Sequence, residues 1–326
     1  MIPGVTPGVI PGVTPGMTPQ VTICECFARD GLQHEPGFVP TAQKIALIDA
    51  FSAAGFPRIE ATSYSHPTQV PAFADATAVL SGIARPNGTF YKATCPNLRA
   101  VHRALEDLAA GHGANELSLL ASATEGHTAR NLKTTRAEQW TRIEAMAAAT
   151  RGRARRVGVL SVSFGCPIEG RVDPGQVADD AARFAALGMD LVALGDTTGL
   201  ATPPAVRALF SRLIAAHPGI SFVAHFHDTR GTGLANCFAA LDAGCRHFDT
   251  SFGGVGGHPA HIRYGEGQTG NVATEDLVRL LEACGVPTGI DLDRMMAASR
   301  LCEATLGREL HSKVARAGLE LEPAHA

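Results

Sequence analysis

The sequence predicts an α/β protein built as a (β/α)8 barrel, or TIM barrel, with extra helices at its C-terminal end. Three observations predict this fold: eight short apolar runs of strand length, longer helical segments between them, and 45% hydrophobic residues in a chain of 326. Alternating strands and helices are typical of a parallel sheet with crossover helices, and a barrel takes about 250 residues plus additions. An open, doubly wound sheet is the alternative.

The predicted strands are rich in apolar residues and cover residues 21–27, 58–63, 89–94, 116–121, 156–163, 191–195, 221–227 and 247–251. Helical periodicity lies between them, for example over residues 41–54, 173–187, 204–216 and 233–243. Two closing helices are predicted over residues 275–285 and 291–307. Because composition does not shift on the scale of a domain, we predict one barrel domain over residues 21–318 and a C-terminal tail over 319–326.

The first 20 residues repeat Pro-Gly-Val-Thr and close variants. Such a segment has restricted backbone angles, missing hydrogen-bond donors and almost nothing to bury, so we predict a disordered tail. An elastin-like interaction module is the functional alternative. Met17 also offers a second translation start.

Composition excludes several classes of function. The formal charge of −3 and the pI near 6.5 create no basic field for nucleic acid or for an anionic membrane. No apolar run is long enough to span a bilayer, and the N-terminal segment lacks the features of secretory and transit signals. The 8 cysteines have no paired metal-finger spacing, so we expect reduced, mostly buried thiols. A cytoplasmic protein that acts on a small molecule is predicted.

The sharpest chemical feature is His225-Phe226-His227-Asp228 at the end of a predicted strand. Strand alternation directs His225 and His227 to one face, and the C-terminal ends of barrel strands are where active sites of this fold lie. Two imidazoles about 6–7 Å apart can bind one cation such as Zn, Mn, Fe or Co. The alternative is two partly exposed histidines at the start of a loop.

Two further segments follow predicted strands. Asp30 offers an anionic ligand, and Arg29 offers a fixed fork of donors for a developing oxyanion, although an Arg-Asp-Gly turn is also common as a solvated ion pair. Asn271 precedes an apolar helix, where its side chain serves either as an N-cap or as a fourth metal ligand.

Together these motifs resemble those of 3-hydroxy-3-methylglutaryl-CoA lyases, in the metal-dependent lyase and synthase barrel superfamily. The resemblance covers residues 21–317. Its landmarks, in chain order, are Arg29-Asp30-Gly31-Leu32-Gln33, Ile59-Glu60-Ala61-Thr62-Ser63, Cys95-Pro96-Asn97-Leu98, Gly165-Cys166-Pro167-Ile168-Glu169-Gly170, Leu194-Gly195-Asp196-Thr197, His225-Phe226-His227-Asp228 and Gly270-Asn271-Val272-Ala273-Thr274-Glu275-Asp276-Leu277.

The resemblance implies a metal-dependent retro-Claisen cleavage of an acyl-CoA to acetyl-CoA and a keto acid. It implies a divalent cation, Mg or Mn, and CoA as part of the substrate; a homodimer is compatible with it. Arg29 would hold the enolate oxygen, and Glu60 would belong to the acid–base network. The implied metal ligands are Asp30, His225, His227 and Asn271, and the implied substrate contacts are Arg29, Gln33, Ser63, Asp196 and Thr197.

One departure concerns the segment Gly253-Gly254-Val255-Gly256-Gly257-His258-Pro259, where the resembled family has a cysteine at the position of His258. An imidazole has a suitable pKa for proton transfer, so we predict His258 as the proton donor. The stretch from His258 to Asn271 is also longer than in familiar lyases, which leaves open other substrates such as citramalyl-CoA.

Three other classes of protein remain as alternatives. A Claisen-type acyltransferase shares these motifs but usually carries extra C-terminal segments, and an oxo-acid aldolase would use no CoA. A barrel that binds metal without catalysis is the third. Arg29, Asp30 and Glu60 together favour an enzyme over that last alternative.

Overall fold

The computed structural model describes residues 20–257 and 270–319. Eight parallel strands, β1 to β8, form a closed barrel in the order of the chain. Their bounds are Thr22–Glu25, Arg58–Ser63, Phe90–Cys95, Glu116–Ser122, Arg155–Ser161, Leu191–Asp196, Ser221–Phe226 and His247–Thr250.

Closure depends on the pairing of the first strand with the last. Thr22 of β1 lies opposite His247 of β8, and Glu25 lies opposite Thr250. An open sheet has no such pair, so the barrel prediction is confirmed and the doubly wound alternative is wrong. All eight predicted strands are present, with ends that agree to within about two residues, the usual uncertainty of such boundaries.

Helices surround the barrel and follow the predicted pattern. The longer ones are Thr41–Ala53, Ala76–Gly82, Leu98–Ala109, Arg136–Thr150, Pro174–Ala186, Pro203–Ala216 and Gly233–Asp242. The predicted closing helices are Thr274–Ala283 and Leu292–Leu306, and a short helix, Lys313–Ala317, follows them. The limits of the predicted domain and tails stay a prediction, because most of both tails lies outside the described residues.

Two apolar regions hold these layers together. The larger one lies between the outer face of the sheet and the helices, and it includes a stack of Phe51 and Phe252 with ring centroids 5.0 Å apart. The smaller one lies inside the barrel on β5, β6 and β7. Because side chains alternate along each strand, the two faces of the sheet have separate cores.

Two features of the structure relate to the compartment that the sequence predicts: the state of the cysteines and the length of the apolar helices. All eight cysteines are free, and all but the partly exposed Cys284 are buried, as predicted. Among the described residues, no helix is long and apolar enough to cross a membrane.

Candidate metal centre and active site

Three predicted metal ligands lie together at the C-terminal mouth of the barrel. Asp30 lies in the helical turn after β1, whereas His225 is the second-last residue of β7 and His227 follows that strand. One ligand atom from each residue lies within 4.8 Å of the others. The two imidazole rings are 5.4 Å apart between centroids, which is the same-face arrangement expected from strand alternation.

A buried carboxylate that the sequence analysis did not single out shapes the turn that carries Asp30. Glu25, at the end of β1, accepts a hydrogen bond from the backbone N–H of Phe27 at 2.8 Å and from that of Phe252 at 3.2 Å. Thr274 donates its hydroxyl to the other oxygen of Glu25. Burial raises the pKa of Glu25 to about 8, although these hydrogen bonds oppose the shift. Glu25 therefore joins the ends of β1 and β8 to the closing helix.

Asn271, the fourth predicted ligand, contacts the same site. Its Nδ2 donates to Asp30 Oδ2 at 2.6 Å and to the Val255 carbonyl at 3.1 Å. Gly256 has a φ of 147°, and a side chain there would collide with the Asn271 amide, so glycine permits this close approach. The amide oxygen of Asn271 is buried and has no hydrogen-bond partner within the described residues.

This donor set fits a divalent cation. A carboxylate, two imidazoles and an unpartnered amide oxygen suit an ion of the Mg, Mn or Zn type, and a cation would satisfy the amide oxygen. Burial alone would raise the pKa of Asp30, but the charge of Arg29 and the neighbouring histidines outweigh it and hold that pKa well below its ordinary value. Asp30 is therefore ionised, as a ligand must be.

Arg29 links this cluster to Glu60. Its Nη2 donates to Glu60 Oε2 at 2.8 Å, and its Nε lies 2.7 Å from Glu60 Oε1. Its Nη1 lies 2.9 Å from Asp30 Oδ1 and donates to Gln33 Oε1 at 3.1 Å. Burial raises the pKa of Glu60, but the charges of Arg29 and Lys92 outweigh it and lower the pKa overall. An ionised Glu60 thus fixes a guanidinium at the mouth of the barrel.

Three other predicted contact residues form hydrogen bonds at or just after the C-terminal ends of their strands. Asp196 accepts from the backbone N–H groups of Leu200 and Ala201 at 2.9 and 3.0 Å, which shapes the loop after β6. Thr197 accepts from the N–H of Val162 at 3.2 Å, and Ser63 donates to the Thr94 carbonyl at 3.3 Å. Their contact with substrate stays a prediction.

The predicted proton donor, His258, lies outside the described residues, as does the rest of the lengthened stretch through residue 269. Its role in proton transfer therefore also stays a prediction. The preceding segment, which ends at Gly257, approaches the site, since Val255 accepts the hydrogen bond from Asn271.

Two charged residues next to the site were missed by the sequence analysis. Lys92 of β3 lies 3.1 Å from Asp249 of β8 and 3.5 Å from Glu60. Asp249 in turn lies 3.4 Å from Nδ1 of His225. The available signal was a charged residue at an inward-facing strand position, but a charge in an alternating strand is more often solvent-exposed.

The HMGL-like family matches residues 20–302 of the chain. The mitochondrial hydroxymethylglutaryl-CoA lyase of Rattus norvegicus is 38% identical over 303 residues, which are 93% of this chain and 90% of that protein. The (R)-citramalyl-CoA lyase of Chloroflexus aurantiacus is also 38% identical, over 91% of this chain and 95% of its own length.

A solved structure agrees with these sequence relationships. It is an HMG-CoA lyase from Acinetobacter baumannii in complex with coenzyme A and 3-methylmalate, with a TM-score of 0.86 and 38% identity over 94% of this chain and 98% of that one. The resemblance predicted from the motifs is thus confirmed. The chain belongs to the HMGL-like family and is a carbon–carbon lyase of that family.

Proposed function

We propose that this lyase cleaves 3-hydroxy-3-methylglutaryl-CoA, or a close analogue, to acetyl-CoA and the keto acid acetoacetate. The observation that carries the proposal is the convergence of Asp30, His225 and His227 beside the Arg29–Glu60 pair. The similar lyase from R. norvegicus and the coenzyme A bound to the A. baumannii lyase support an acyl-CoA substrate.

The family depends on a divalent metal, and the residues that would hold it here are Asp30, His225, His227 and Asn271. Two imidazoles with oxygen donors suit Mg²⁺ or Mn²⁺, the ions we propose. When bound, such an ion lowers the pKa of the substrate's 3-hydroxyl and polarises a neighbouring oxygen.

The proposed reaction is a retro-Claisen cleavage of the C2–C3 bond. A base removes the proton of the 3-hydroxyl, and the O–H electron pair forms the new carbonyl of the keto acid. The C2–C3 bond breaks, and its electrons enter the thioester, which becomes an enolate. A proton delivered to C2 completes acetyl-CoA.

Arg29 would hold the enolate oxygen during this step. Glu60 occupies one edge of the guanidinium, while Nη1 lies on the side of Asp30 and Gln33. A guanidinium held in this way is positioned to donate hydrogen bonds to negative charge that develops at the mouth of the barrel. Glu60, ionised and buried, belongs to the same acid–base network.

Substrate contacts are proposed for Gln33, Ser63, Asp196 and Thr197, in addition to Arg29. A cavity of about 290 Å³ adjoins the first of them and is lined by residues 33–38 and 69–72. Its position next to the Arg29–Gln33 contact supports an acyl-CoA that approaches from this side. We propose His258 as the donor of the final proton; loss of turnover with intact metal binding in His258→Ala would agree with it.

Citramalyl-CoA is the second candidate substrate, and the 38% identity with the lyase of C. aurantiacus favours it specifically. Both reactions release acetyl-CoA, so a lyase of either type uses the same metal centre and the same Arg29. The identity of the keto acid separates them. We also propose a cytoplasmic location, and the eight free thiols support a reducing compartment of this kind.

The decisive experiment is a substrate panel. The purified chain, with Mg²⁺ or Mn²⁺, is incubated with 3-hydroxy-3-methylglutaryl-CoA, both enantiomers of citramalyl-CoA and malyl-CoA, and acetyl-CoA and the keto acid are quantified. We expect the highest kcat/KM with 3-hydroxy-3-methylglutaryl-CoA. A preference for citramalyl-CoA would replace the substrate and keep the mechanism, whereas no cleavage of any thioester would refute the proposal.

A further inference from the structure

A chain of buried charges runs beneath the mouth of the barrel and connects the two sides of the candidate site. His225 Nδ1 lies 3.4 Å from Asp249 Oδ2, and Lys92 Nζ lies 3.1 Å from the same oxygen. The ammonium of Lys92 also lies 3.5 Å from Glu60 Oε2, and Glu60 binds Arg29. This chain of charges therefore begins at a candidate metal ligand, His225, and ends at the candidate oxyanion donor, Arg29.

Burying these charges costs free energy, so the need to fill the barrel interior does not explain their presence. Lys92 and Asp249 are 2% and 3% exposed, and taking each charge out of water costs several kcal/mol unless it is well paired. The interior of the same barrel is filled by apolar side chains on β5, β6 and β7. Apolar residues on β3 and β8 would fill the space without that cost.

The contacts also cross the barrel. Lys92 is on β3 and Asp249 is on β8, two strands that are not neighbours in the sheet. An ion pair between them fixes the distance across the interior just below the site. Arg58 Nη1, 3.5 Å from the other oxygen of Asp249, holds that carboxylate from a third strand.

We infer that Lys92 and Asp249 are positioning residues for the candidate site. Asp249 Oδ2 lies 3.4 Å from Nδ1 of His225, so the carboxylate favours a proton on Nδ1 and leaves Nε2 as the ring nitrogen with a lone pair for a metal. The ammonium of Lys92 lies between Asp249 and Glu60, so the metal ligands and Arg29 keep fixed positions relative to each other. The importance of these positions for catalysis rests on the proposed function, whereas the fixed tautomer of His225 does not.

The first test reads the tautomer directly. Nitrogen NMR of the full chain with ¹⁵N-labelled histidine, without metal, is recorded for wild type and Asp249→Asn. We expect His225 to carry its proton on Nδ1 in the wild type, and to shift toward Nε2–H once the carboxylate charge is removed. A wild-type His225 protonated on Nε2, or one unchanged by the substitution, would overturn the inference.

The second test measures Mn²⁺ affinity by electron paramagnetic resonance on wild type, Asp249→Asn, Lys92→Met and the double variant. We expect Asp249→Asn to weaken binding by roughly 10–100-fold, the usual effect of removing a partner of a metal-bound histidine. Lys92→Met should weaken it less, by about 3–10-fold. Since the contact from Lys92 to His225 runs through Asp249, the double variant should lose less affinity than the sum of the two single losses; fully additive losses would contradict this.

A matched control separates positioning from general stability. Arg136 forms a partly buried ion pair with Asp180 at 2.9 Å that shares no residue with the charge chain, so Arg136→Met should lower stability in urea without changing the tautomer or Mn²⁺ affinity. Equal losses in this control would mean that Lys92 is merely structural. If Lys92→Met does not fold, Lys92→Gln takes its place.

Turnover provides a third readout, which also distinguishes the two proposals. With the best substrate, Lys92→Met should lower kcat by about 10-fold and leave KM nearly unchanged, because the site loses alignment and keeps its substrate contacts. If the wild type has the expected tautomer but neither binds Mn²⁺ nor cleaves a thioester, the proposed function fails and the positioning of His225 stands.

Discussion

The interior of the barrel is apolar in one half and ionic in the other. The apolar half is formed by β5, β6 and β7, with Val157, Leu191, Ala193 and Val223. The ionic half is formed by β2, β3, β4 and β8, with Arg58, Glu60, Lys92, Glu116 and Asp249.

The two halves are stabilised in different ways. The apolar half gains about 25 cal/mol for each Å² removed from water and needs no particular partner. In the ionic half, every charge must meet an opposite charge, or it costs several kcal/mol. The Arg29–Glu60 side of the candidate site is built on the ionic half, and His225 of β7 is connected to that half through Asp249. The geometry of the site therefore depends on ion pairs that packing alone would not specify.

Metal removal should have the largest effect, because it tests the site without disturbing either half. After chelation we expect no detectable turnover, since the ligand set loses its cation, while the barrel stays folded on its own interior contacts. Acetyl-CoA release and circular dichroism before and after chelation, followed by Mg²⁺ or Mn²⁺ readdition, measure both. Full turnover by a protein shown to be metal-free would contradict the metal centre.

Among the substitutions, Glu116→Gln should destabilise the ionic half most. Glu116 is fully buried and accepts from Arg58 at 2.6 Å, with Arg155 at 3.3 Å, so its loss leaves a buried cation poorly compensated. We expect a loss of about 3–5 kcal/mol in the free energy of unfolding, measured in urea.

Two matched variants sharpen that result. Val157→Ala in the apolar half should cost only about 1–2 kcal/mol, because it removes two methyl groups. Arg58→Met combined with Glu116→Leu should recover most of the stability lost in Glu116→Gln, since an apolar pair needs no partner. A double variant as unstable as the single one would show that the ionic half cannot be replaced by packing.

Arg29→Met should separate chemistry from folding. We expect turnover to fall by about 10²-fold or more while metal binding is retained, since Arg29 stabilises charge that develops during cleavage. The assay is kcat with the best substrate, and Arg207→Met, which breaks an exposed pair with Asp242, serves as the control. An unchanged rate in Arg29→Met would remove this residue from the chemistry.

A smaller effect than that of Glu116→Gln concerns the acid stability of the ionic half. Burial and the charges of Arg58 and Arg155 lower the pKa of His247 to about 4 from 6.5. Between these values the unfolded chain binds a proton that the folded chain does not, so stability is full above pH 6.5 and falls as the pH drops toward 4. His247→Gln should reduce this loss by about 2 kcal/mol in urea unfolding at pH 4.5 compared with pH 7.5. Equal pH profiles would refute it.

Much of the site could be predicted because its signals are local. His225 and His227 share a face through the two-residue period of a strand, and a barrel directs the residues after β1 and β7 to the same mouth. The convergence of Asp30 with both histidines follows from these two rules.

Lys92 and Asp249 could not be predicted in the same way. They are separated by 157 residues in the chain, and their strands are not neighbours in the barrel. A lysine or an aspartate in an alternating strand is usually solvent-exposed, so the local pattern favours the wrong face. Glu25 was missed for a related reason, since its partners Phe252 and Thr274 are remote in sequence.

The sequence by itself determined the eight strands, the helices between them, the family and the convergence of Asp30, His225 and His227 at the mouth, because periodicity and contiguous motifs are local properties. Only the tertiary structure decided which charges share the interior, since closure of β1 on β8 brings β2, β3 and β8 around one space. In that space a charge is stable only beside its opposite, and this requirement arises from burial, which no single stretch of sequence contains.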